Sequence, residues 1–195
     1  MTRGREREAV ASLQAARAAG ARRKAAEECA LMLMLYSGYP SALEGLRVLN
    51  TTWPGRARRT REGTPARWRA RGEALCQRVY GPAYVRLVPA VRTLHPDLAV
   101  WMVEHGYGRV LGRPGLGVAK RELVTVAALA SLGWQRQLVS HVLGALRVGA
   151  SEPATRAALA VGARMADASG RAVAERTWQR AVRAQRARPA QRRAD

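Results

Sequence analysis

Two residues that can exchange protons, Glu122 and His141, lie within the mostly apolar stretch RELVTVAALASLGWQRQLVSHVLGAL, residues 121–146. A buried carboxylate that faces a histidine can act as an acid/base pair in catalysis. The same pairing also occurs as a structural hydrogen bond that satisfies two buried polar groups. The residue types therefore predict a contact between Glu122 and His141 and leave open whether that contact is catalytic.

The helix that carries Glu122 is predicted from about residue 118 to residue 132. Apolar side chains surround its axis after Glu122, which is typical of a helix that is buried on every side. Gly133 is predicted to end it, because glycine readily adopts the left-handed conformation found after helices. Glu122 is then a carboxylate near the start of a buried helix.

The helix that carries His141 is predicted from about residue 135 to residue 148 and has one apolar stripe. At 100° per residue, Trp134, Gln137 and His141 fall together on the edge of this stripe. Antiparallel packing of the two helices across a short turn can bring His141 close to Glu122. The scaffold of the pair is therefore predicted to be a helical hairpin.

The rest of the chain is predicted to be helical as well. No segment alternates polar and apolar residues over the length of a strand, so the predicted fold class is all-α. Ser41 and Glu44 form a capping-box pattern, and the stretch after Gly170 is predicted to be a solvated basic helix. Turn residues separate the helices at YSGYP, WPGRARRTREGTPA, YGPAY and the glycine-rich connector GYGRVLGRPGLG.

The charge of the chain is strongly positive. Its 34 basic residues, of which only Lys24 and Lys120 are lysines, face 14 acidic ones and give a formal charge of +20. This charge permits binding to nucleic acid or to an anionic membrane surface. The abundance of Ala, Gly and Arg together with the absence of Phe is equally typical of GC-rich coding, and no finger or aromatic strand pattern accompanies the charge. Nucleic-acid binding is therefore the less favoured alternative.

Cysteines and apolar runs exclude several classes of function. Cys29 and Cys76 lie far apart and form no CxxC pair, so the sequence encodes no local metal cluster or redox dithiol, and we expect no cofactor. The longest apolar run, residues 30–36, is far shorter than the ~20 residues that cross a bilayer. No signal-peptide pattern is present, so we expect a cytoplasmic protein without a membrane segment.

A longer stretch resembles a known family: HPDLAVWMVEHGYGRVLGRPGLGVAKRELVTVAALASLGWQRQLVSHVLGALRVGAS, residues 95–151. From about residue 68 to residue 149 the chain is similar to the carboxymuconolactone decarboxylase family within the AhpD-like superfamily. In that superfamily the hairpin carries a Glu, a CxxC pair and a His. This chain keeps Glu122 and His141 but has Trp134 and Gln137 at the cysteine positions. The resemblance therefore favours the decarboxylase-like branch over a disulfide-exchanging peroxidase.

The segment EECALMLMLYSGYPSALEGLRVL, residues 27–49, resembles material that follows the hairpin in this family. Its position before the hairpin predicts a circular permutation, and the alternative is a degenerate tandem repeat whose first copy lost its hairpin. The predicted organisation is a polar lead-in, 1–21, one AhpD-like domain, 22–165, and a basic C-terminal tail, 166–195. The domain would comprise permuted closing helices, 22–53, a linker, 54–66, and a core, 67–165, with the hairpin at 118–148.

The resemblance implies decarboxylation of a small anionic lactone or keto acid through an enol-type intermediate. His141 would move the proton, and Glu122 would orient His141 or share its proton. Arg113 could hold a substrate carboxylate through a bidentate pair, or it could simply cap a helix end. Further candidates for the substrate pocket, with a place in the core as the alternative for the aromatic ones, are Tyr107, Trp134 and Gln137.

The resemblance also implies a ring-like homo-oligomer. Composition agrees, because a narrow helical unit with helices that are apolar all round needs partners to cover them. A non-catalytic oligomeric binding module of the same fold is the alternative to an enzyme.

Overall fold

The computed structural model describes residues 5–60 and 63–186, and these residues confirm the all-α fold class, with helices and no strand among them. The chain divides into two compact units, Met1–Arg121 and Glu122–Asp195. None of the described helices is long and apolar enough to cross a membrane.

The first unit contains six α-helices and a π-helical segment among its described residues. The polar lead-in forms a helix, residues 54–60 and 63–64 are non-helical, and α4 begins at Pro65. A single 3₁₀ turn, Gly81–Ala83, occupies the predicted break at YGPAY. The elements are α1 Glu6–Ala18, α2 Arg23–Met32, α3 Met34–Thr52, α4 Pro65–Tyr80, α5 Tyr84–Leu94, α6 Pro96–Trp101 and the π-helical segment Met102–Leu111.

The predicted corner at YSGYP is a kink inside α3. Gly38 has φ 76° and ψ 174°, a backbone conformation that glycine adopts without a steric penalty. The capping box predicted from Ser41 and Glu44 is wrong, because Ser41 already lies within the helical turn. Its hydroxyl donates to the carbonyl oxygen of Ser37 at 3.1 Å, and Glu44 instead accepts from Arg47 at 2.8 Å.

Helix α4 packs closely against the π-helical segment. A Cβ on Gly72 would lie 2.0 Å from the Val103 carbonyl oxygen, and one on Gly108 would lie 2.0 Å from the Trp68 carbonyl oxygen. The irregular connector predicted from Gly106 onward is therefore wrong as far as Leu111. Its glycines allow two backbones to approach and do not break the helix, and the chain becomes irregular only from Gly112 to Gly117.

The second unit is built on the helical hairpin. Its helices are α7 Val118–Leu132, which begins in the first unit, α8 Gln135–Arg147, α9 Glu152–Met165 and α10 Ala168–Arg186. Gly133 has φ 73° at the predicted turn between α7 and α8. Ser151 caps α9 by accepting from the Ala154 amide at 3.3 Å. A Cβ on Gly162 would lie 2.2 Å from the Ala127 carbonyl oxygen, so α9 lies directly against α7.

Helix α10 is more than a solvated basic tail. Ala174, Thr177, Trp178 and Ala181 are buried, and their i, i+3, i+4, i+7 spacing places them on one face of the helix. This face packs against α8 and α9. The prediction of a fully solvated helix is therefore wrong on this face. The buried stripe has only one large apolar residue, Trp178, and it lies among many arginines, so the sequence pattern does not reveal it.

Candidate active site

Glu122 and His141 form a buried pair in the second unit. Glu122, near the start of α7, is 2% exposed, and His141, in the middle of α8, is 7% exposed. Nδ1 of His141 lies 2.8 Å from Oε2 of Glu122, which is hydrogen-bonding distance. The structure therefore brings together the two residues whose contact the sequence predicts.

This contact determines what the imidazole can do. A histidine whose Nδ1–H donates to a carboxylate is held in one tautomer and in one ring orientation. Its Nε2 is then the nitrogen that accepts a proton from another molecule, and the carboxylate stabilises the imidazolium that forms. A pair with this geometry can support general acid/base chemistry.

The exposed end of α8 lies beside the buried pair. Trp134, the N-cap residue of α8, is 48% exposed, and Gln137 is also exposed. They precede His141 by seven and four residues, so all three lie on one face of the helix. Next to them around α8, Leu138 and Val142 are completely buried. The pair thus lies at the boundary between an apolar interior and a face that carries an indole and an amide.

Arg113 and Tyr107 make internal contacts in the first unit. Nε of Arg113 donates to Glu28 at 3.1 Å, and its Nη2 donates to the Thr60 hydroxyl at 3.1 Å. Tyr107 is 5% exposed and bonds through its hydroxyl to that of Tyr80 at 2.8 Å. The contact of Tyr107 favours the alternative of a place in the core, whereas Arg113 is in an ion pair with Glu28, which is neither substrate binding nor the predicted helix cap.

Glu28 is a charged residue that the sequence reasoning missed. It is completely buried in α2 and lies 2.9 Å from Nη2 of Arg121 and 3.2 Å from Nζ of Lys24, in addition to its contacts with Arg113. Burial alone would raise the pKa of Glu28, but the hydrogen bonds and positive charges of Arg113 and Arg121 outweigh burial and lower it. We call Glu28, Lys24, Arg113 and Arg121 the Glu28 cluster.

No short motif predicts this cluster, because Glu28 and Arg121 are 93 residues apart in sequence. Arg121 is 1% exposed, and its guanidinium also donates to the carbonyl oxygens of Leu116 and Arg113 at 3.1 and 2.8 Å. A buried arginine with these partners fixes the irregular turn before α7. The one available signal was an acidic pair, Glu27 and Glu28, directly before an apolar run.

Burial raises the pKa of the Cys29 thiol, and this disfavours the thiolate that disulfide exchange requires. Between residues 5 and 60 and between 63 and 186, no group of three or more His, Cys, Asp or Glu side chains could hold a metal ion.

Comparison with known families finds a match over part of the chain. The family model described as CMD, the carboxymuconolactone decarboxylase family, matches residues 96–180. The predicted resemblance is therefore confirmed for this part of the chain, which includes α7, α8 and α9. No curated protein matches the sequence.

Proposed function

We propose that residues 96–180, as a region of the carboxymuconolactone decarboxylase family, carry an acid/base site for a small anionic lactone or keto acid. The observation that carries this proposal is the 2.8 Å contact between Glu122 and His141 in an apolar interior. Buried acid/base pairs next to an accessible surface are where proton-transfer catalysis is expected.

The chemistry we propose is decarboxylation. The bond between the carboxylate carbon and its neighbour breaks, carbon dioxide leaves, and the bonding electrons delocalise into an adjacent carbonyl as an enolate. Protonation of the enolate carbon completes the reaction. Nε2 of His141 is suited to deliver that proton, and the Glu122 carboxylate stabilises the protonated ring before delivery.

Trp134 and Gln137 are the proposed substrate contacts at the exposed end of the site. The amide of Gln137 can donate to a substrate carboxylate or carbonyl, and the indole of Trp134 offers an apolar wall. Because these two residues take the place of the CxxC cysteines of AhpD-like proteins, the site would act through proton transfer without a thiol.

We also propose that a second copy of the chain covers α5 and α6. Helix α5 has no buried residue although seven of its eleven residues are apolar, and the pair of helices exposes several large apolar side chains. Exposed apolar patches of this kind mark interfaces, and a twofold contact would cover the same residues in both copies. These side chains are Val85 at 73%, Leu94 at 76%, Leu98 at 45%, Val100 at 42% and Trp101 at 62% exposure.

The circular permutation remains a proposal for residues 27–49, which lie outside the family match. It is supported by the YSGYP corner, since the Gly38 kink provides the helix–corner–helix shape that the resemblance assigns to this segment. A degenerate tandem repeat is the alternative.

The test is decarboxylation of carboxymuconolactone and of a small set of β-keto acids, followed as carbon dioxide release. We expect turnover by the native protein and a loss of about 10²–10⁴-fold in kcat for His141→Ala, the usual contribution of a general acid/base. His95→Asn is the matched control, because His95 is an exposed histidine that caps α6 through its Nδ1 and asparagine can replace that cap.

A non-catalytic binding module is the second candidate, and the low exposure of His141 favours it. Turnover that survives in His141→Ala would contradict the proposed mechanism. No turnover of any substrate by a folded native protein would shift the assignment to the binding module.

A further inference from the structure

Helices α9 and α10 border a cleft of about 230 Å³ in the second unit, and neither Glu122 nor His141 lines it. Its floor consists of small or apolar side chains, because alanines occupy the positions where larger residues would fill the space. Leu159, Ala174 and Trp178 on this floor are buried. The remaining floor residues are Ala160 and Ala163.

The rim of the cleft is cationic. Arg156, Arg164 and Arg171 face a single carboxylate, that of Glu175. Nη2 of Arg156 lies 3.9 Å from Oε2 of Glu175, and its guanidinium lies 5.5 Å from the centre of the Trp178 ring. The rim therefore keeps an excess of positive charge over an apolar floor.

Of the three arginines on the rim, Arg164 has the fewest polar contacts. Arg171 donates to the Ala166 carbonyl oxygen at 3.0 Å, whereas the side chain of Arg164 makes no hydrogen bond or ion pair with any described residue. On α9 it lies two turns, or about 12 Å, beyond Arg156, so the two arginines bracket the length of the floor. A guanidinium in this position is available for a bidentate contact with a carboxylate.

We propose that this cleft is a binding site for a small organic carboxylate with a planar apolar body. The carboxylate binds Arg164, and the apolar body lies on Ala160, Ala163 and the edge of Trp178. The volume of the cleft is below the range typical of drug-sized ligands, so the ligand has a single small ring. This site is separate from the proposed acid/base pair and does not depend on its activity.

The experiment is calorimetric titration of the full chain with benzoate, which has both the ring and the charge. Benzyl alcohol keeps the ring without the charge, and inorganic phosphate keeps the charge without the ring. We expect benzoate to bind at least about tenfold more tightly than either, because only benzoate uses both the floor and the rim.

Two variants locate the site. Arg164→Gln should weaken benzoate binding about tenfold by removing a charged contact, and Ala163→Met should weaken it by filling the floor with every charge retained. Arg180→Gln is the matched control, since it removes an exposed arginine of α10 that does not line the cleft.

Three results would overturn the proposal: no benzoate binding, equal affinity for phosphate and benzoate, or equal effects of Arg164→Gln and Arg180→Gln. Binding of a single-stranded oligonucleotide that Arg164→Gln weakens, without benzoate binding, would also overturn it and identify the cleft as part of a polyanion surface. Benzoate is not a decarboxylation substrate, so these results are independent of whether Glu122 and His141 catalyse a reaction.

Discussion

Glu28 shows how a single buried carboxylate can depend on its neighbours. Taking a carboxylate out of water is costly, and the cost is repaid only while Arg113, Arg121 and Lys24 surround it. Neutralising Glu28 leaves buried arginines without their counter-charge. We expect Glu28→Gln to lower the free energy of unfolding by about 3–5 kcal/mol in urea titrations.

Glu44→Gln is the control for this prediction. Glu44 also pairs with an arginine, Arg47, but both side chains are about half exposed or more, so its loss should cost under about 1 kcal/mol. Equal losses in the two variants would contradict the role assigned to the Glu28 cluster.

Lowering the pH should reduce the stabilisation that the Glu28 cluster gives to the folded protein. The pKa of Glu28 in the folded protein is lowered from its ordinary value of 4.5, so the unfolded chain binds a proton there first as the pH falls. The stabilisation is complete above about pH 5 and disappears as the pH drops through the lower, folded pKa. The stability difference between the native protein and Glu28→Gln should therefore be constant near neutrality and shrink below about pH 4.5.

Glu122 tests the acid/base pair in a second way. Glu122→Gln keeps a hydrogen-bond acceptor beside Nδ1 of His141 but removes the negative charge that stabilises the imidazolium. If Glu122 acts through His141 as proposed, we expect kcat to fall by about tenfold or more, with a shift in the pH–rate profile and a smaller change in KM. A fall in stability without a change in that profile would indicate a purely structural hydrogen bond.

Helix ends were predictable where local chemistry determines them. The predicted bounds of α7 and α8 agree with the structure within about a residue, because Gly133 has the positive φ that ends a helix. The contact between Glu122 and His141 was predictable for the same reason: two helices joined by a short turn leave few alternatives.

Predictions from the sequence failed at residues whose main contacts are far away along the chain. Gly106 and Gly108 are typical of a loop, yet both lie in the π-helical segment, and Gly108 allows the backbone of Trp68 to approach. Glu28 and Arg121 are likewise far apart in sequence, so no spacing rule connects them. Tertiary packing, and not local preference, determines the structure at these positions.

Close helix packing can be tested within one segment. A methyl group at Gly108 would lie 2.0 Å from the Trp68 carbonyl oxygen, whereas one at Gly106 would lie 3.8 Å from its nearest neighbour. Gly108→Ala should therefore destabilise the protein by about 1–3 kcal/mol or more in urea unfolding. Gly106→Ala should change the stability by less than about 1 kcal/mol, and equal effects would contradict the close approach.

At the scale of the whole molecule, the exposed α5–α6 surface predicts self-association. Leu94→Glu places a charge in the proposed interface at a residue that makes little contact within its own chain. We expect light scattering after gel filtration to show a smaller species than the native protein, with helicity unchanged. Leu43→Glu, at a similarly exposed leucine of α3, is the control. A native protein that elutes as a monomer would contradict the interface.

Tryptophan fluorescence can report on the α5–α6 surface. Trp101 is 62% exposed and Trp134 is 48% exposed, whereas Trp178 is 7% exposed. In dilute solution, collisions with acrylamide should quench the emission of Trp101 and Trp134 and spare that of Trp178. When copies associate through α5 and α6 as proposed, acrylamide quenching of Trp101 should fall, and a Trp101→Phe variant separates this signal from that of the other four tryptophans.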